Sequence, residues 1–143
     1  MIAVASDHGG LELKKAVIES LRSQNIDCRD FGTDDSASVD YPDFAEKVAR
    51  SVASGEARAG ILICGTGIGM SIAANKIPGI RAALAHDEFT AQMAAQHNNA
   101  NVLALGGRVL SPDQGVRLVD VWLTSRYEGG RHDQRLEKIT NLE

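Results

Sequence analysis

The chain of 143 residues has only two cysteines, Cys28 and Cys64, and neither belongs to a CxxC pair. That falls far short of a disulfide framework and suits a reducing compartment. No apolar run approaches the ~20 residues a bilayer-spanning helix needs, so no membrane partner is expected. Met1–Ser6 carries no positive n-region, so no secretory leader is expected and the cytoplasm is the expected location. The formal net charge of −4 lacks the basic excess of a protein that grips nucleic acid over a broad surface. An anionic small molecule is not excluded, because it needs only a few local donors, and Arg131, His132 and Arg135 lie close together. No HxxxH motif or carboxylate cluster suggests a metal, so acid–base chemistry without metal or other cofactor is the simplest reading. No repeat, low-complexity segment or linker divides the chain, and 1–143 is expected to be one domain.

What is there is an alternation of apolar runs and amphipathic stretches. Ile2–Ala5 is an apolar run ending in the loop Ser6-Asp7-His8-Gly9-Gly10. Leu13, Val17 and Leu21, with Ala16 beside them, predict a helix over residues 10–24. Ile26–Phe31 alternates apolar with polar, as a half-covered strand does. Asp40 before Tyr41-Pro42 predicts an N-cap, and Phe44, Ala45, Val48, Ala49 and Val52 form the stripe of a second helix that Gly55 stops. Residues 60–64 read as the third strand, 67–76 as a helix and 81–85 as the fourth strand. Asp87 caps a helix running to about His97, and 102–105 is the fifth strand. Ser111-Pro112 opens a helix carrying Val116, Val119, Val121 and Leu123. After Gly129-Gly130, residues 131–143 form a charged last helix whose seam is only Leu136, Ile139 and Leu142. So thin a seam reads either as an arm docked on a partner subunit or as a surface helix. Strands alternating with helices imply a parallel sheet covered on both faces, with ligands bound outside the carboxyl ends of the strands.

Asp7, His8 and the segment Cys64-Gly65-Thr66-Gly67-Ile68-Gly69 all fall at such ends. The glycine loop lacks the last glycine of a dinucleotide fingerprint, since Met70 stands there, and no Lys-Ser/Thr pair makes it a Walker A loop. Its free N–H groups nonetheless suit an anion, and a thiol at a strand end beside a helix N-terminus favours thiolate. His97-Asn98-Asn99 marks a helix end, and Arg131 and Arg135, four apart, share one helical face. Bland readings stand beside these: Asp7 as a cap, His97-Asn98 as a helix terminus, the arginines as a solvated face.

Taken together these segments resemble the ribose-5-phosphate isomerase B family, which also contains galactose-6-phosphate and allose-6-phosphate isomerases. The resemblance runs from Ser6–Gly10 through Asp40-Tyr41-Pro42-Asp43, Ile63–Gly69 and Ser71–Lys76. It continues through Gln96-His97-Asn98 and Asn101-Val102-Leu103 to Tyr127–His132. It implies a three-layer αβα sandwich around a five-stranded parallel Rossmann-like sheet of order 2-1-3-5-4, and a C-terminal helix packed on a partner subunit. The implied assembly is a homodimer with shared active sites, a tetramer being the other assembly open to it.

The implied chemistry interconverts an aldose phosphate and its ketose through an enediolate. Cys64 with Met70 places the chain in the cysteine-base branch, other members carrying glutamate at the position of Met70. By the same resemblance Cys64 moves the proton between C1 and C2, and His97 opens the furanose ring. Thr66 and the N–H groups of Gly65, Gly67 and Gly69 hold the enediolate oxygens, and Asp7 holds sugar hydroxyls. Tyr41 and Asn98 line the sugar pocket. Arg131 and Arg135 grip the phosphate, with His8 near it and Arg108 contributing. The anion at the glycine loop thereby becomes the enediolate rather than phosphate. Ribose 5-phosphate is the expected substrate, with a six-carbon sugar phosphate as the alternative.

Overall fold

Successive side chains of a strand point to opposite faces, and here that alternation builds two separate cores. In the computed structural model, which describes residues 1–143, five parallel strands are β1 (Ile2–Ser6), β2 (Cys28–Asp30), β3 (Ala59–Cys64), β4 (Ala82–Leu84) and β5 (Val102–Gly106). Their order is β2-β1-β3-β5-β4. The helices are α1 (Leu11–Ser23), α2 (Tyr41–Ala53), α3 (Ile68–Ala74), α4 (Glu88–Gln96), α5 (Pro112–Thr124) and α6 (Arg131–Thr140). Ile2, Val4, Ile61, Ile63, Leu103 and Leu105 face α1, α4 and α5, with Leu13, Leu118 and Trp122 in the same core. Ala3, Ala5, Leu62, Cys64, Val102 and Ala104 face the opposite layer and meet Val48, Met70 and Ala74 of α2 and α3. This is the three-layer Rossmann-like sandwich expected from the alternation. The chain leaves β1 for the outer β2 and then crosses back to β3, so β1 and β3 flank the point where strand order reverses. Loops diverge there and open a crevice.

Local chemistry explains most of the boundaries. Asp87 accepts from the Thr90 N–H at 2.7 Å, and Ser111 accepts from the Gln114 N–H at 3.2 Å, each within a reciprocal capping box. Gly55, at φ +82°, lies just past the end of α2. Asp40 occupies the N-cap position of α2 without a side-chain capping bond. β2 is shorter than its alternating pattern because it is an edge strand paired only with Ile2–Val4. On α5 the buried stripe is Gly115, Leu118, Val119 and Trp122, while Val116, Val121 and Leu123 are half-buried. The apolar residues thus wrap past the expected stripe, which turns toward α1 at Gly115. A Cβ there would lie 2.3 Å from a Leu13 methyl.

Lys14 departs from its pattern. It sits in the apolar face of α1 with only 1% exposure, bonded to the Asp30 carboxylate at 2.8 Å and to the Thr33 carbonyl. A buried ammonium is tolerated only when so paired. The contact ties α1 to the loop that leads to Tyr41. No helix is long and apolar enough to cross a membrane.

Candidate active site

Three loops meet at the carboxyl end of the sheet. After β1, Asp7 is 7% exposed, its carboxylate accepts from the Gly9 N–H at 2.9 Å, and its own N–H donates to the Ile63 carbonyl. Asp7 thus caps the short 3-10 turn His8–Gly10 and not α1, whose N-cap is Gly10, and a second carboxylate oxygen remains outside that bond. His8 uses Nδ1 to accept from the Val39 N–H at 3.3 Å, which draws the 33–40 loop over the crevice. After β3, Gly67 takes φ +80°, and its N–H donates to Cys64 Sγ at 3.1 Å. Thr66 Oγ1 accepts from Ile68 N–H at 3.2 Å. The N–H groups of Gly65, Gly69 and Met70 find no acceptor within the chain. After β5, Gly107 and Arg108 donate to the carbonyls of Cys64 and Gly65, which locks the third loop onto the second.

The glycines of this loop are spatial requirements as much as turn formers. A Cβ on Gly65 would lie 3.0 Å from the Arg108 guanidinium, and one on Gly69 would lie 2.5 Å from the Tyr41 ring. A Cβ on Gly67 would meet the Leu105 backbone at 2.9 Å. Gly9 lies where Asp7, Arg108 and the Gly65 N–H converge. Asp7, His8, Tyr41, the Cys64–Gly69 loop and Arg108 thus form one cluster. Met70 is fully buried in the core behind it.

The remaining candidates lie elsewhere. His97 caps the carboxyl end of α4, and that helix runs back toward the amino ends of the strands. Asn101, four residues on, bonds Arg81 and Gly60 at that amino end. The Cys64 loop is at the other end, where Cys64 pairs with Gly106 of β5. A five-residue strand separates the two by roughly 13 Å even before the loops are added. Asn98, Arg131 and Arg135 go with His97, since α6 starts against the end of α4. Glu128 N–H donates to the Gln96 carbonyl at 3.0 Å, and the imidazoles of His97 and His132 stack with centroids 4.3 Å apart. His132 is the only buried residue of α6, whereas Ile139 and Leu142 are 45% and 85% exposed beside a groove of about 620 Å³ lined also by Pro78, Ile80 and Asn98.

His132 was visible in the sequence only as one of a run of bases. No spacing rule links it to His97, because the pair forms through tertiary contact. Burial, His97 and Arg131 hold its imidazole below the usual histidine range, while Glu128 acts weakly the other way. His97, Glu128 and His132 bring possible ligand atoms within 4.8 Å of one another. Stacked rings aim their lone pairs side by side rather than at one point, and Arg131 and Arg135 add positive charge to the same spot. The cluster therefore favours an anion over a cation.

Next to it, burial and a 2.7 Å bond to Asp133 push the Tyr127 phenol up to about 12. A phenol that ionises near 10 when unfolded and near 12 when folded leaves the unfolded chain with fewer protons between those values. Stability should therefore fall as pH rises through that window and level off above it. Urea midpoints at about pH 9 and about pH 11 are expected to differ less in Tyr127→Phe than in the parent; an unchanged difference would place the alkaline loss elsewhere.

The sandwich, with a thiol and open N–H groups at its switch point, defines a doubly wound α/β protein whose crevice suits a small anion. The chain matches the Ribose/Galactose Isomerase family model over residues 2–139, and it belongs to that family. It is 49% identical over 142 residues to ribose-5-phosphate isomerase B of Escherichia coli (strain K12), covering 99% of this chain and 95% of that one. Among solved structures it is similar to ribose-5-phosphate isomerase B of Clostridium thermocellum, with TM-score 0.97 and 50% identity over 99% and 95% of the two chains. It is also similar to ribose-5-phosphate isomerase B of Mycoplasma genitalium, solved with bound ribulose-5-phosphate, with TM-score 0.95 and 45% identity over 99% and 94%.

Proposed function

We propose that this protein interconverts ribose 5-phosphate and ribulose 5-phosphate, and that two chains build each active site. The observation that carries the chemistry is Cys64 Sγ accepting the Gly67 N–H at 3.1 Å, in a loop whose neighbouring N–H groups at Gly65 and Gly69 are unengaged. That backbone contact holds the sulfur at the mouth of the loop. The remaining donors match an oxygen that becomes anionic only during the reaction. In the first step the furanose opens: the C1–O4 bond breaks, O4 takes a proton, and the O1 hydroxyl loses one, with His97 handling this exchange. The Cys64 thiolate then takes the proton from C2, leaving an enediolate whose charge rests on O1. The N–H groups of Gly65 and Gly69, with Thr66, face that charge, while the Gly67 N–H expected beside them is taken by Cys64 Sγ. Return of the proton to C1, with transfer from O2 to O1, gives the ketose. Asp7, Tyr41 and Asn98 hold the hydroxyls. Arg131 and Arg135, with His8 and Arg108, hold the phosphate.

Acid–base groups must lie within about 3 Å of the atoms they serve. His97 and Cys64 of one chain, at opposite ends of the sheet, cannot meet that limit on one sugar. A second copy that brings its His97, Asn98, Arg131 and Arg135 to the first chain's loop can. Exposed Ile68, Ile72, Leu84 and Phe89 near the carboxyl end of the sheet offer apolar surface for such a partner. Coupled assay of ketose formation from ribose 5-phosphate, run beside allose 6-phosphate, tests the activity and the substrate together. Arg135 is exposed, so Arg135→Ala should leave the melting temperature unchanged and raise KM about tenfold or more. An unchanged KM would remove Arg135 from the phosphate site.

A further inference from the structure

The partner of His97 within its own chain is His132, and its surroundings are specific. Gly129 and Gly130 both take positive φ, +66° and +60°, and turn the chain into α6 so that the helix starts facing the end of α4. The His132 N–H donates to the Gly129 carbonyl at 3.2 Å, and Glu128 N–H ties the same turn to Gln96. Backbone bonds therefore fix both sides of the stack. The ring planes are 22° apart, and the tilted Tyr127 ring lies 6.4 Å from His132 on another side. His132 is 5% exposed, and its Nε2 is buried with no hydrogen-bond partner in the chain. With no hydrogen bond on Nε2, packing and the stack against His97 hold this ring in place.

We infer that His132 is a positioning residue for ring opening, its imidazole face holding the His97 ring in the orientation that reaches the furanose oxygen. This rests on the ring-opening role of His97 proposed above. His97 carries a proton during that step and gains positive charge. A flat π face at stacking distance supports an imidazolium, but only if it stays neutral itself. The groups facing His132 are His97 at the end of α4, Tyr127 and Glu128 on the preceding turn, and Arg131 and Arg135 on α6. Burial and the cations among them keep His132 the uncharged member of the pair. His97, only half-buried, is the ring with access to ligand.

The test uses a chemical difference between the two sugars. Ribose 5-phosphate is chiefly a furanose and must be opened. Ribulose 5-phosphate cannot close a five-membered ring, because its C5 oxygen carries the phosphate, so it enters open. Exchange of its C1 proton with solvent needs the Cys64 loop and no ring opening. In the full-length protein, His132→Ala is expected to lower kcat on ribose 5-phosphate about tenfold with KM within about twofold. The rate of deuterium uptake at C1 of ribulose 5-phosphate should stay within about twofold of the parent. His132→Phe keeps a flat ring and should restore most of the forward rate, even if His132→Ala folds poorly. Equal losses in both assays would mean a structural role for His132 and overturn the inference. A forward loss in His132→Phe as large as in His132→Ala would do the same, since the nitrogen and not the face would then matter. Run in parallel, His97→Asn separates the two claims. If it leaves the forward rate intact, the ring-opening role of His97 fails; if it lowers the rate while His132→Ala does not, only the role of His132 fails.

Discussion

Cys64→Ala is expected to lower kcat on ribose 5-phosphate by about three orders of magnitude or more, the upper part of the range for loss of a positioned base. Solvent exchange at C2 should vanish with it, while the dissociation constant for sugar phosphate stays within about twofold. The reasoning starts from the strand. Cys64 ends β3 on the face that packs against α2 and α3 and is only 5% exposed, so alanine fits its space with little disturbance. What disappears is the sulfur that accepts the Gly67 N–H. In the proposed site the phosphate is held by side chains other than Cys64, so binding has little reason to change. Cys28 is the internal control, a half-buried thiol on the edge strand β2, and Cys28→Ala should retain full activity. Normal isomerisation by Cys64→Ala would end the cysteine-base mechanism, whereas loss of binding together with rate would point to a collapsed loop.

The parts legible in the sequence were those set by local periodicity. Five apolar runs, the capping residues Asp87 and Ser111, and the αL glycine after α2 each act within a few residues of chain, and so the elements could be placed. Three features depended on distant contact. Lys14 reads as a surface lysine until Asp30 and the Thr33 carbonyl are brought over it by the pairing of β2 with β1. The buried stripe of α5 shifts because Gly115 admits Leu13 from α1. The stack of His132 on His97 joins residues on two elements that no pattern relates. For the candidate site the division was sharper. The Cys64 loop, Asp7 and His8 follow directly from the rule that ligands sit at the carboxyl ends of strands, whereas Tyr41 and Arg108 were named through resemblance. His97, Asn98 and the two arginines were named through resemblance, and one chain does not bring them to that end.

That separation makes the strongest test of the assembly a mixing experiment. Cys64→Ala and His97→Asn chains are each expected to be nearly inactive on ribose 5-phosphate. Unfolded together in equal amounts and refolded, they should recover about a quarter of the parental activity. If each site takes Cys64 from one chain and His97 from the other, a hybrid dimer has one doubly defective site and one intact site. Random pairing makes half the dimers hybrid, and half of their sites work. Sites built within single chains would contain no intact copy in any combination, and the mixture would stay at the parental background. The same arithmetic holds for Cys64→Ala mixed with Arg135→Ala, read at low substrate where the phosphate grip matters most. Recovery with both pairs would place His97 and Arg135 in the partner's contribution to the same site. Recovery with only one would divide them, and the cluster at the start of α6 would no longer act as a unit.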